Sequence, residues 1–102
     1  MPQVKLMNSA RHDLWEIYAY LAENADIPTA DQLRDELLEK FKLIANNRFI
    51  GKQRFELADD LRSFVHDNFV IFYFPNEKGV MIFRILHSAR NIEAILQEDL
   101  PN

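Results

Sequence analysis

Two histidines and three arginines between residues 62 and 90 could act on a phosphodiester. They are His66 and His87, with Arg62, Arg84 and Arg90. Cleavage of RNA would need a general base, a general acid and cations that stabilise charge developing on the phosphate. A plainer interpretation, which we favour, makes His66 a solvated turn residue and lets His87 cap the last strand. A catalytic site made of these five residues is therefore only the alternative interpretation.

Other reactive groups are few. His12 and Glu16 stand one helical turn apart, as two ligands of a metal ion can. We place no third ligand near them, so we expect an exposed pair, no metal and no cofactor. The chain has no cysteine, which removes disulfides, thiolate metal sites and cysteine nucleophiles together.

The segment from Leu61 to Arg90 predicts three antiparallel strands. Its apolar runs are LRSFVH, FVIFYFP and VMIFRIL, and they are rich in residues that favour strands. Asp67-Asn68 separates the first two runs, and the four residues from Asn76 to Gly79 separate the last two. Both connectors have lengths that are common in β-hairpins, so we expect a meander.

Counting outward from the two turns predicts the register and the two faces of this sheet. In this register Tyr73 pairs with Ile82, and Ile71 pairs with Arg84. We expect helices to cover one face, which carries Leu61, Ser63, Val65, Val70, Phe72, Phe74, Met81, Phe83 and Ile85. The opposite face carries Arg62, Phe64, His66, Phe69, Ile71, Tyr73, Ile82, Arg84 and Leu86. Because a buried unpaired guanidinium is costly, we expect this second face to be partly open and functional, with the Tyr73 hydroxyl reaching it.

Short sequence patterns predict the remaining helices and strands. Residues 4–7 alternate in polarity and predict an edge strand. Asn8 or Ser9 is expected to cap a first amphipathic helix, and Thr29 with Gln32 resembles the capping box of a second. The connection between the two helices is short, so they should be antiparallel neighbours that pack on the sheet.

A loop of about a dozen residues, 48–60, is expected after the second helix, and loops of this length are often functional. A short C-terminal helix is expected around residues 92–96, with a frayed end at residues 100–102. The order of strand, helices and then strands predicts a single α+β domain over residues 1–102.

Charge and hydropathy restrict the class of partner. The 102 residues carry a formal net charge of −4, although residues 40–62 hold six basic side chains against three acidic ones. General nucleic-acid binding is therefore disfavoured, since it normally requires an excess of cations. No apolar run has the roughly 18 residues needed to span a bilayer, so we expect no membrane partner and a cytoplasmic location.

Several short motifs in this order match one known family. They are Ala10-Arg11-His12-Asp13-Leu14 through Ile17 and Tyr18, then Gly51, Glu56-Leu57, Leu61-Arg62-Ser63, Val70-Ile71-Phe72-Tyr73 and Ile85-Leu86-His87-Ser88-Ala89-Arg90. The chain resembles, over nearly its whole length, the ParE branch of the ParE/RelE toxins of bacterial type II toxin–antitoxin systems. Asn47-Arg48 is a departure, because the family often has proline ahead of the glycine loop.

The resemblance implies a toxin that is held inactive by a cognate, ParD-like antitoxin and typically inhibits DNA gyrase when freed. RelE-like members instead cut mRNA on the ribosome and use a tyrosine or histidine near the C-terminus. In this sequence no tyrosine follows Arg90, and serine follows His87. Together with the acidic net charge, this favours a gyrase-inhibiting binding protein. The alternatives are a ribosome-dependent endoribonuclease and an antitoxin-binding relic without toxicity.

Two sets of site residues follow. The expected target-binding residues are Arg62, Arg84, His87 and Arg90. The expected antitoxin-binding residues are Trp15, Tyr18 and Leu21, although the default interpretation of Trp15 and Tyr18 is that they belong to the core. A groove beside them would accept a partner helix through spaced apolar anchors, and the acidic first half of the chain would suit a basic segment.

Overall fold

The computed structural model describes residues 2–100, which form three helices and one five-stranded sheet. The elements are β1 (Gln3–Leu6), α1 (Asn8–Asn24), α2 (Ile27–Asn46), β2 (Lys52–Gln53), β3 (Arg62–His66), β4 (Phe69–Asn76), β5 (Gly79–His87) and α3 (Ile92–Asp99). The strand order is β1-β5-β4-β3-β2. The predicted α+β class is confirmed. No helix in residues 2–100 combines the length and the apolar character that a membrane crossing requires.

The predicted meander is present, and both hairpin turns have a local cause. His66 pairs with Phe69, and Asp67 adopts a φ of 52° in the two-residue turn between them. In the second hairpin the pairing extends to Asn76 and Gly79, so its turn is shorter than predicted. The Asn76 side chain closes this turn by accepting a hydrogen bond of 2.9 Å from the Gly79 amide.

Two further strands complete the sheet. The predicted edge strand, β1, pairs in parallel with β5 and places Gln3 beside Gly79. Gly79 has a φ of 152°, and a Cβ atom there would lie 2.0 Å from the Gln3 carbonyl oxygen. Only glycine therefore permits this close approach of the two strands. Strand β2 lies within the segment predicted as a loop and forms the opposite edge of the sheet.

A β-bulge changes the register of β5. Tyr73 pairs with Ile82 as predicted, but Phe72 pairs with Arg84, so β5 carries one additional residue. Beyond this point Ile71 pairs with Ile85 rather than with Arg84. A single inserted residue transfers every later side chain to the opposite face. The predicted register is therefore correct before the bulge and wrong after it.

The helical hairpin covers the face that was predicted to be open. Leu37, Phe41 and Ile44 of α2, with Ala10 of α1, form a core with the sheet. The sheet contributes Ile71, Tyr73, Val80, Ile82 and Ile85. The assignment of faces was thus wrong, and the physical reason is that both faces are apolar enough to be buried.

The opposite face is also covered, by α3 and the end of the long loop. Phe72 and Phe83 are buried there beneath Leu96 of α3, with Leu57 and Ala58 of the loop packed against the same cluster. Leu100, which was predicted to belong to a frayed end, packs against this second core. Residues 101 and 102, the rest of the predicted frayed end, lie outside the described part of the chain.

The helix starts differ from the predicted ones. Met7 occupies the N-cap position of α1 without a side-chain hydrogen bond, and the Ser9 hydroxyl instead donates to the Phe83 carbonyl. In α2 the cap is Asp26, whose carboxylate accepts a hydrogen bond of 2.7 Å from the Thr29 amide. With Pro28 in its first turn, α2 begins two residues before the predicted capping box.

Candidate functional site

A groove of about 870 Å³ runs between α1 and one end of the sheet, and we call it the α1 groove. Trp15 and Leu21 of α1 line one side of it, and Phe69, His87 and Arg90 line the other. The structure therefore brings two of the residues expected to bind the antitoxin together with two expected to bind the target.

The outer wall of the α1 groove is an exposed apolar surface. The inward stripe of α1 uses Ala10, Leu14 and Ile17, which contact the first core. Trp15 lies off this stripe and is 66% exposed, and Tyr20 is 65% exposed. The default interpretation, in which Trp15 belongs to the core, is therefore wrong for this residue. Exposed aromatic side chains around a groove are typical of interaction sites.

Tyr18 has a different environment from Trp15 and Leu21. Its hydroxyl donates a hydrogen bond of 2.7 Å to Asp31 of α2, and this bond raises the pKa of Tyr18 above its ordinary value. The Arg34 guanidinium lies 5.4 Å from the centre of its ring. Tyr18 lines a second, smaller cavity of about 340 Å³ that shares Trp15 with the α1 groove. Tyr18 therefore links α1 to α2, and it lines the smaller cavity rather than the α1 groove.

The sheet side of the α1 groove carries one cation, Arg90, and the α1 side carries two carboxylates, Glu16 and Glu23. His87 ends β5, and its ring meets the Phe69 ring edge-on at 5.4 Å. The Nδ1 atom of His87 accepts a hydrogen bond of 3.0 Å from the Ala89 amide, as expected for a residue that caps the end of a strand. Arg90 follows in the exposed turn before α3. An apolar groove with a cation at one end can hold an amphipathic helix that carries an acidic side chain there.

Arg84 does not face an open surface. Its Nε and Nη2 atoms donate to the two carboxylate oxygens of Asp13, at 2.6 and 2.9 Å, and its Nη1 atom contacts Asp99. The Arg84 side chain is only 12% exposed, and Asp13 is 4% exposed. These hydrogen bonds raise the pKa of Arg84 above its ordinary value. The expectation that its guanidinium reaches solvent was wrong, because sequence reasoning did not find its partner, Asp13.

Asp13 also stabilises the edge of the sheet. β1 pairs with β5 only as far as Ile82, and beyond it the Asp13 carboxylate accepts a hydrogen bond of 3.0 Å from the Ile85 amide. One sequence feature could have pointed to Asp13, because it lies within the first of the motifs that resemble the family.

Arg62 and Tyr73 hold the start of the long loop. The Arg62 guanidinium donates to the carbonyl oxygens of Phe49 and Gly51, at 2.8 and 2.7 Å. The Tyr73 hydroxyl accepts from the Gly51 amide at 2.8 Å and donates to the Arg48 carbonyl at 3.0 Å. Tyr73 is fully buried, so its hydroxyl does not reach an open face as predicted. Its burial raises the pKa of this phenol.

The five residues of the alternative catalytic site do not converge. Arg62 belongs to the row of paired residues that includes Tyr73 and Ile82, whereas His87 belongs to the row of His66 and Phe69 at the other end of the sheet. His66 contacts Glu36 of α2 at 2.8 Å, and Arg84 is held by Asp13. The geometry therefore gives no single acid, base and phosphate clamp from this set.

The pair on α1 has a third neighbour that sequence reasoning did not place. His12 and Glu16 lie 3.5 Å apart, and the Asp13 carboxylate lies close enough to complete a group of three possible metal ligands. However, the Asp13 carboxylate already accepts hydrogen bonds from Arg84 and from the Ile85 amide, so it is not free to act as the third metal ligand.

A family model matches most of the chain. The model for the ParE toxin of the type II toxin–antitoxin system parDE matches residues 4–92. The chain belongs to the ParE toxin family. This ParE-family chain also shares its fold with a solved structure described as the chromosomal ParDE toxin–antitoxin system from P. aeruginosa. The two chains are 20% identical, the match covers 85% of this chain and 96% of the other, and the TM-score is 0.72. A search of curated proteins gives no match.

Proposed function

We propose that this ParE-family chain is a toxin that binds a cognate, ParD-like antitoxin in the α1 groove and inhibits DNA gyrase when it is free. The observation that carries the proposal is the composition of the groove. Trp15 and Leu21 face the same cavity as His87 and Arg90. An antitoxin segment that fills the groove would therefore cover His87 and Arg90, which we assign to target binding, and neutralisation would be direct competition for one site. The proposed place of action is the cytoplasm.

The chemistry of the groove fits an amphipathic helix. The aromatic and aliphatic wall offers anchoring positions for apolar side chains at helical spacing. Residues 1–39 carry three basic and eight acidic side chains, so a basic flank on the antitoxin would be complementary. Arg90, at the end of the groove, would pair with an acidic residue of the same helix.

Gyrase is proposed as the target because the chain belongs to the ParE family, and its resemblance to the ParE branch of the ParE/RelE toxins implies gyrase inhibition. The dispersal of Arg62, His66 and Arg84 counts against the ribonuclease alternative. Within this proposal, Arg84 and Arg62 have mainly structural roles, and His87 with Arg90 forms the accessible part of the target surface.

Antitoxin binding can be measured through Trp15, the only tryptophan of the chain. Binding should shift its fluorescence to shorter wavelength, because the indole passes from water into an apolar contact. Trp15→Ala should weaken antitoxin binding, measured by calorimetry, by about 30-fold or more, as expected for a central aromatic anchor. Phe55→Ala is the matched control, since Phe55 is equally exposed but lies outside the groove. If Trp15→Ala bound the antitoxin as tightly as the wild type does, the α1 groove would not be the antitoxin-binding site.

The target is tested by supercoiling assays with purified gyrase and, in parallel, by cleavage assays with translated mRNA. The wild-type protein should inhibit supercoiling, and the double variant His87→Ala, Arg90→Ala should do so at least about 10-fold less well. Growth arrest on induced expression should accompany inhibition. Cleavage of mRNA without an effect on gyrase would show the ribonuclease alternative, and an absence of growth arrest would show the relic.

A further inference from the structure

Three possible metal ligands converge where β3 turns into β4. The Nε2 atom of His66 lies 2.8 Å from Oε1 of Glu36 and 3.5 Å from Oδ2 of Asp67. These three ligand atoms all lie within 4.8 Å of one another. They come from α2, from the last residue of β3 and from the turn, so only the tertiary structure assembles them.

The residue types and spacings suit zinc. Zn²⁺ binds imidazole nitrogen and carboxylate oxygen at about 2.0–2.2 Å, so the ligand atoms of a tetrahedral site lie about 3.4 Å apart. The two separations from the His66 nitrogen, 2.8 and 3.5 Å, are close to that spacing. Small rotations of the side chains would therefore admit the ion without a change in the backbone.

Two of the three side chains are held in position before any ion arrives, and a tight turn carries the third. The His66 side chain is 14% exposed, whereas the Asp67 carboxylate is 71% exposed on a turn whose backbone has a φ of 52°. The second carboxylate oxygen of Glu36 accepts a hydrogen bond of 3.1 Å from the Gln32 side chain, which leaves the first oxygen directed at His66. Partners of this kind orient the ligands of metal sites.

A groove beside the cluster gives an ion access to it. This groove of about 690 Å³ is lined by Asp31, Asp35 and Glu39 in addition to Glu36 and His66. Arg34 pairs with Asp31 and Asp35, Lys42 pairs with Glu39, and Lys40 also lines the groove, so these cations offset much of the added negative charge. The groove provides a path for an ion and room for a water molecule as the fourth ligand.

We propose that Glu36, His66 and Asp67 bind one Zn²⁺ ion, with water in the fourth position, and that the ion ties α2 to the β3–β4 turn. The site is separate from the α1 groove, which is lined by a different set of residues. Its consequence is a more stable domain in the presence of zinc. The proposal needs neither the antitoxin nor gyrase, so it stands or fails independently of the proposed function.

Calorimetric titration of zinc chloride into the metal-free, tag-free protein tests the site. We expect one ion per chain, loss of this binding in His66→Ala, and at least a 10-fold weaker affinity in Glu36→Gln and Asp67→Asn. Asn tolerates the positive φ at position 67, so the last variant keeps the turn. His12→Ala is the matched control, because it removes the exposed pair on α1 and should bind zinc as the wild type does. Magnesium, which prefers sites made only of oxygen, should not bind.

Thermal unfolding provides a second readout. A saturating excess of zinc should raise the Tm of the wild-type protein and of His12→Ala by about 5 °C or more. It should leave the Tm of His66→Ala nearly unchanged and raise that of Asp67→Asn by clearly less than that of the wild type, with circular dichroism showing that both variants are folded. Wild-type zinc affinity in folded Asp67→Asn, equal loss in His12→Ala, or no stoichiometric binding by the wild type would each overturn the proposal.

Discussion

A buried hydroxyl, that of Tyr73, controls the conformation of the loop that begins at Arg48. Tyr73→Phe would remove the partner of both the Gly51 amide and the Arg48 carbonyl. We expect a loss of about 1–3 kcal/mol in the free energy of unfolding, measured with urea, because buried polar groups without partners are costly. The control is Tyr20→Phe, which alters an exposed hydroxyl and should have almost no effect. Equal losses in the two variants would contradict this role of Tyr73.

The ion pair of Arg84 and Asp13 is the second residue-scale determinant. Arg84→Met would leave the Asp13 carboxylate buried without its cation, and we expect a loss of about 3–5 kcal/mol in denaturant unfolding. Adding Asp13→Asn should recover part of that loss, since the amide oxygen can still accept from Ile85 and no buried charge remains. Lys42→Met, at an exposed position on α2, is the control. Losses that simply add in the double variant would show that the pair is not coupled.

At the scale of elements, the start of α2 depends on an ionised cap. Hydrogen bonds from Thr29 hold the pKa of Asp26 below its ordinary value of 3.8. A depressed pKa means that the stabilisation is fully present above the ordinary pKa and is lost as the pH falls through the lower folded value. Asp26→Asn keeps the capping acceptor but does not titrate. We expect the Tm of the wild type to fall more steeply than that of Asp26→Asn below about pH 4. Parallel Tm profiles for the two proteins would contradict this.

Helix α3 is an integral cover of the sheet rather than an appendage. Leu96 is fully buried in the second core, against Phe72 and Phe83. Leu96→Ala should therefore lower the free energy of unfolding by about 2–5 kcal/mol in urea. Gln97→Ala, on the exposed side of the same helix, should change it very little. If Leu96→Ala unfolded like its control, the second core would not depend on α3.

For the molecule as a whole, the covering of both sheet faces decides where binding can occur. Helices α1 and α2 bury one face, and α3 with the loop buries the other. Strands buried on both sides have nearly continuous apolar sequences, which describes the FVIFYFP run of β4. Interaction surfaces are therefore left to the ends and edges of the sheet, and the α1 groove lies at one end.

The proposed sharing of the α1 groove predicts competition between the two proposed partners. If antitoxin and gyrase both require the end of the groove at His87 and Arg90, antitoxin should weaken gyrase binding, and gyrase should weaken antitoxin binding by the same factor. Gel filtration of mixtures should show two binary complexes and no ternary one. Lys52→Ala, on the distant edge strand β2, should leave this competition unchanged. A stable ternary complex would show that the two sites are separate.

Much of the fold could be predicted because it depends on neighbours in sequence. The Asp67-Asn68 turn, the meander, the helical hairpin and an edge strand follow from turn chemistry and periodicity, and the structure contains all of them, with the edge strand at Gln3–Leu6 rather than at residues 4–7. Trp15 could be named as a binding candidate, but its exposure was not predicted, because the default interpretation placed it in the core. The family resemblance was likewise present in short motifs that the sequence alone displays.

By itself, then, the sequence determined the order and type of the elements, because backbone conformation responds to local residue patterns. Only the tertiary structure decided which sheet face the helices cover, where the bulge at Phe83 falls and that Asp13 receives Arg84. It alone brought His87 and Arg90 to Trp15, and His66 to Glu36. The reason is physical: when both faces are apolar, alternation does not rank them, and one inserted residue reverses every later side chain.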